Sequence, residues 1–376
     1  MRNAKAVPVE SRRQFMSGLA CVAASQAIRS GIDSIGKAVL AAEAALKDLA
    51  SQKGVLYGCA TTQDHLAADS QFAGLVAQQC ALLVPENAAN WKYVEPQPGG
   101  FDYHLGDWML NFAETHQMKF GGGTLVWHEA LPGWINNSVG SSGMDIMRNH
   151  VSKIVGHYRG RAFSWAVVNE TTAFREAGTT LKDTPLLRVA GPDYIEQAFL
   201  AAAAADPQAL LVYNENHLEY DEPEADHRRA ILVDFLKKLV SRKVPIGALG
   251  IQSHLRTGNV PFSAGKLGDF LSRISDLGLK VVISELDVTE KGPEVDLSER
   301  DSAIAHEIER YLGVVLQQKS VVAVVTWGLS ARYSWLTNYA PRPDGQKLRP
   351  LPYDVDLRAT QAWQAIANAF ERAPRR

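Results

Sequence analysis

Eight short β-prone runs, each ending in polar or small residues and separated from the next by a segment of helical periodicity, predict an α/β fold: a (β/α)8 TIM barrel in a single domain. Three observations carry this reading. The alternation repeats eight times in about 320 residues, and parallel strands need a crossover helix between them. No glycine-rich phosphate loop follows the first run, which counts against a doubly wound open sheet, the other fold that alternation permits. No Pro/Ser-rich linker or low-complexity block divides the chain, so residues 46–376 are expected to form one catalytic domain.

In chain order the runs are Val55 to Ala60, Ala81 to Glu86, Lys119 to Trp127, Phe163 to Glu170, Ala209 to Asn214, Ala248 to Ser253, Lys280 to Leu286 and Val321 to Trp327. Between them, Tyr194 to Ala205, Glu224 to Val240 and Ala303 to Gln317 repeat apolar residues at helical spacing. The 376 residues are 46% hydrophobic and 21% charged, enough for a sizeable core. A formal net charge of −2 offers no electrostatic attraction to nucleic acid or an anionic membrane, and neutral substrates suit it as well.

The N-terminus stands apart. Ser11-Arg12-Arg13-Gln14-Phe15-Met16 sets paired arginines before an Ala-rich apolar run to Ile28, and Ser25-Gln26-Ala27 offers small residues for a peptidase. Residues 1–27 therefore resemble a twin-arginine export signal, with 28–45 a helical lead-in and a periplasmic or extracellular destination. The apolar run is shorter than the ~20 residues a bilayer requires. Cys21 follows a poor lipobox, Gly18-Leu19-Ala20. Cys59 and Cys80 would remain after cleavage and read as buried small hydrophobes, with a bridge formed after export the alternative.

In a barrel the C-terminal strand ends form the active-site face. The fourth run, FSWAVVNE, delivers Asn169 and Glu170 there, and the seventh, KVVISELDVT, delivers Glu285 and Asp287. Paired carboxylates across a barrel mouth suit glycoside hydrolysis: one protonates the departing oxygen, the other attacks or stabilises the anomeric carbon. Trp127, Trp327 and Trp335 offer flat faces for sugar rings, and Asn87, Asn169, Gln252 and His254 can bond hydroxyls. Any one of these alone is ordinary core; their concentration at six strand ends points to a site. Neither His128-Glu129 nor His254 has the paired spacing of a zinc site, and carboxylate chemistry needs no metal or cofactor.

From Leu46 to Phe370 the chain resembles glycoside hydrolase family ten, the retaining endo-1,4-β-xylanases. The motifs appear in order: ENAANW at Glu86, GTLVWHEALPGW at Gly123, WAVVNE at Trp165, GIQSHL at Gly250, VISELDVT at Val282, TWGLSARYSW at Thr326 and PLPYD at Pro350. The resemblance implies Glu170 as acid/base, Glu285 as nucleophile, and Asn169 as partner of the 2-hydroxyl of the cleaved sugar. It implies that His254 and Asp287 orient the nucleophile with Gln252 beside them. Glu86, Asn87 and the residue at Asn90 would grip the next sugar outward, and Trp127, Trp327 and Trp335 would form aromatic walls. The substrate would be a polysaccharide or oligosaccharide and the enzyme a monomer without cofactor.

The chain departs from that pattern at several positions. Asn90 stands for the family's lysine, Gly123 for its histidine with Gly121 and Gly122 before it, Ala166 for an aspartate, and Asn214-Glu215-Asn216-His217 for NDYN; Ala331 replaces the aspartate after the last Trp-Gly. These predict weak activity on plain linear xylan, preference for a decorated or different β-glycan, and recovery on restoring Lys at 90 and His at 123. A sugar-binding protein without catalysis is the remaining alternative, which the retained Glu170 and Glu285 oppose.

Overall fold

Both faces of a barrel strand are covered, one by the interior and one by the helical ring, so its strands are apolar runs rather than alternating ones. The computed structural model describes residues 45–137, 142–173, 180–291 and 296–376. The expected export signal and nearly all of the expected helical lead-in lie outside these residues. Leu46–Arg376 forms one compact unit.

The strands are β1 Leu56–Thr61, β2 Leu82–Pro85, β3 Lys119–Trp127, β4 Ala162–Asn169, β5 Leu210–Glu215, β6 Ala248–Ile251, β7 His254–Arg256, β8 Lys280–Thr289 and β9 Val321–Thr326. All except β7 pair in parallel around a ring that β6 closes against β8, giving the eight-stranded barrel that the sequence predicts. Leu82, Val212, Ala248, Val282, Ala323 and Val325 form its buried cluster, with Val84 and Phe163 packed against them.

Most boundaries shift by a residue at most, the seventh run continues three residues past Leu286 to Thr289, and two other differences have visible causes. The sixth run was expected to reach Ser253; the strand instead stops at Ile251 because Ser253 turns to φ +64, its N–H donating to Glu219 Oε1 at 2.9 Å. The chain resumes as β7, which pairs His254 with Asp287 on β8. The helix expected over Ala303 to Gln317 runs Leu297–Val315, because Asp296 caps its polar first turn by accepting from Ser298 and Glu299 N–H. Cys59 and Cys80 are free and buried, as the sequence suggests. Among the described residues no helix is long and apolar enough to cross a membrane.

Candidate active site

Register brings the polar strand ends to one rim. Trp127 on β3 lies opposite Asn169 on β4, and Asn169 opposite Asn214 on β5. Just beyond β4, Glu170 takes φ +54, a left-handed conformation that a non-glycine residue adopts only when its surroundings enforce it. The enforcement is visible. Glu170 N–H donates to Asn214 O at 3.0 Å, and Thr172 N–H donates to the buried Glu215 at 3.1 Å. Glu215 is held in turn by the buried Arg228, 2.8 Å away.

Amides join the two carboxylates. Gln252 Nε2 donates to Glu170 Oε1 at 2.9 Å and to Asn169 Oδ1 at 3.2 Å, while Asn169 Nδ2 lies 3.3 Å from Glu170 Oε1. Asn214 Nδ2 donates to Asn169 Oδ1 at 2.9 Å and to Glu285 Oε1 at 2.7 Å. Oε1 of Glu170 is engaged by amide donors, whereas Oε2 has only Lys182 Nζ nearby, at 3.7 Å, and is the oxygen placed to serve a leaving group. Glu285 differs: Oε1 accepts from Asn214 and Oε2 accepts from His254 Nε2 at 3.1 Å, the pattern of an ionised carboxylate.

His254 is a double donor, with Nδ1 2.8 Å from Asp287 Oδ1. Burial opposes its charge, but Asp287 and then Glu285 outweigh burial and hold the imidazole well above its ordinary range. The other Asp287 oxygen accepts from Trp335 Nε1 at 2.7 Å, so one buried carboxylate orients both the nucleophile's histidine and an aromatic wall. Tyr339 stacks on Trp335 at 4.6 Å.

The remaining expected contacts divide. Glu86 is half-buried near Glu285; burial first, then that neighbouring charge, push its carboxyl up to about 7. Asn87 is exposed on the rim, and Trp327 lines a cavity together with Glu285. Trp127 is half-buried, its Nε1 without a hydrogen-bond partner among the described residues. Asn90, expected to grip the sugar, is instead 3% exposed and accepts from Thr124 N–H at 3.0 Å. It braces the backbone beside Gly123 and also donates from Nδ2 to Asn87 Oδ1 at 3.4 Å. Gly123 has φ +133, and a Cβ there would lie 2.7 Å from Ala166 Cβ and 3.0 Å from Ala166 N. A histidine cannot simply be restored at 123, contrary to the sequence expectation.

Several participants were missed. Asn214 and Ser284, whose hydroxyl donates to Asn214 Oδ1 at 2.7 Å, are strand-end polar residues and were legible by that criterion. Lys182 lies 3.7 Å from Glu170 Oε2, yet twelve residues of sequence separate it from that strand end, with no pattern to announce it. The β3–β4 register also gathers His128, Glu129 and Glu170, whose ligating atoms lie within 4.8 Å of one another although the sequence shows no metal spacing. Burial, then Lys182, lowers the His128 pKa, and the same lysine places a positive charge at this cluster.

The chain as a whole has relatives among known proteins. Endo-1,4-beta-xylanase A of Phanerodontia chrysosporium is 31% identical over 334 residues, covering 87% of this chain and 77% of that one. Beta-1,4-xylanase of Dictyoglomus thermophilum is 30% identical over 311 residues, covering 78% and 84% respectively. Among solved structures, native xylanase 10B from Thermotoga maritima superposes with a TM-score of 0.78 at 25% identity, over 87% of this chain and 98% of that one. Xylanase 10B from Thermotoga petrophila RKU-1, in complex with xylobiose, gives 0.78 at 25% identity over 88% and 98%. The model of glycosyl hydrolase family 10 matches residues 45–369, and the chain belongs to that family.

Proposed function

We propose that this glycoside hydrolase cleaves β-1,4-linked xylan or xylo-oligosaccharides by double displacement. The observation that carries the reading is the asymmetric pair: Glu285 accepts at both oxygens, whereas Glu170 has Oε2 free of amide donors. Glu285 attacks the anomeric carbon and forms a glycosyl ester as Glu170 gives its proton to the departing glycosidic oxygen. With the charge of Glu285 consumed, Glu170 takes a proton from an incoming water, whose oxygen attacks the same carbon and releases Glu285. His254, held by Asp287, supports the charge of the nucleophile before attack and as it leaves.

The xylanases at 30–31% identity support the choice of glycan. Arg12-Arg13 and the apolar run after them support export by the twin-arginine route.

Paired variants test the chemistry. Glu285→Ala abolishes turnover of every substrate, while Glu170→Ala loses xylan but retains activated aryl xylosides, whose leaving group needs no proton, and is partly rescued by azide. Equal loss on both substrate types in both variants, without azide rescue, contradicts the assignment.

A further inference from the structure

We propose that the barrel interior beneath the carboxylates is a side pocket for a short O-acyl ester of acetyl size, carried by the sugar ring that Glu285 attacks. This rests on the hydrolase reading and names a decoration that the site receives. A barrel of this kind is ordinarily filled by layers of side chains. Here Gly121 on β3 and Ala166 on β4 provide little bulk, and a cavity of ≈ 60 Å³ remains. That is several times the roughly 10–15 Å³ that one water needs.

The walls and rim select the occupant. Val84, Val212, Val282 and Val325 line the cavity with apolar surface, and Thr124, Asn214, Glu285 and Trp327 also line it, so it adjoins the nucleophile at the mouth. An apolar majority favours a methyl group over water. Ser164 and Thr124 also line the cavity, Ser164 Oγ lying 3.3 Å from where a Cβ on Gly121 would stand, and a hydroxyl of this kind can donate to an ester carbonyl. A uronate does not fit, because Glu285 would face its carboxylate and none of the lining residues is basic. Gly121 keeps the wall thin: a Cβ there would stand 3.1 Å from Val84 Cγ2 and 3.3 Å from Ser164 Oγ.

Hydrolysis leaves the ring that Glu285 attacked as the new reducing end, so the products record what the pocket accepts. The full chain is incubated with acetylated xylo-oligosaccharides and with the same material after chemical deacetylation, and the products are sequenced by tandem mass spectrometry. The proposal expects acetyl esters on reducing-end xylose. It also expects Ala166→Leu, which fills the cavity, to lower kcat/KM on the acetylated substrate at least tenfold while changing the deacetylated one less than twofold. Should Ala166→Leu fail to fold, Gly121→Ala provides a smaller intrusion with the same expected direction. Cleavage of both substrates with only bare reducing ends overturns the pocket and leaves the hydrolase reading intact. Release of hexose at the reducing end from a β-glucan, in place of acetylated xylose, also overturns it by naming a hydroxymethyl occupant. Cleavage of neither xylan overturns the hydrolase reading itself.

Discussion

Glu86→Gln replaces a carboxyl that the fold holds against ionisation by one that cannot ionise. Burial, and after it the charge of Glu285, push Glu86 from 4.5 up to about 7. The difference, about 2.5 on the pH scale, is worth about 3 kcal/mol at 1.36 kcal/mol per pH unit. The sign follows from the raised pKa. Stability from the neutral acid is fully present below about 4.5, the value in the unfolded chain, and is lost as pH rises through about 7. Glutamine stays neutral throughout, so the variant keeps what the parent loses. Urea unfolding at pH 4, 6 and 8, followed by tryptophan fluorescence, measures the gap. The variant should gain about 3 kcal/mol on the parent between the two extremes, whatever constant offset the substitution introduces. The same variant should raise KM on xylo-oligosaccharides if Glu86 grips the neighbouring sugar. Parallel stability curves from pH 4 to pH 8 refute the claim that burial and Glu285 oppose this charge.

Two further outcomes are expected. Gly123→His forces a side chain against Ala166 at a positive φ, so it should destabilise the barrel by about 1–3 kcal/mol or more instead of restoring xylanase activity; a variant of parental stability with improved kcat/KM on xylo-oligosaccharides contradicts this. Replacing Arg12 and Arg13 by Lys should leave a folded enzyme in the cytoplasm, and fractionation that still finds the variant outside the inner membrane contradicts twin-arginine export.

The barrel was legible because its strands are buried on both faces and so appear as unbroken apolar runs, each closed by the residues that reach the rim. Glu170 and Glu285 were legible as carboxylates that end core runs at the rim, although Glu215, which ends β5 and braces Thr172, shows that such a carboxylate can also be structural. Asn214 satisfied that criterion too, but the two bonds its amide donates, to Asn169 and Glu285, depend on which strands are neighbours in the closed ring. β7 was hidden because three residues between polar neighbours make no apolar run. The direction of the Asn90 side chain was not legible, since its motif fixes its position alone; it turns to Thr124 and Asn87. Lys182 meets Glu170 through tertiary proximity alone.

The central claim is that Glu285 forms and releases a covalent glycosyl ester on a β-xylosidic bond with Glu170 as acid and then base. Two inversions at one carbon preserve its configuration. Proton NMR of xylotetraose hydrolysis, recorded faster than mutarotation, reads the anomer first formed at the new reducing end. The account predicts β-anomer at the outset, with α-anomer appearing only as mutarotation proceeds. An initial α-anomer contradicts it, since a single displacement by water would then bypass the ester on Glu285.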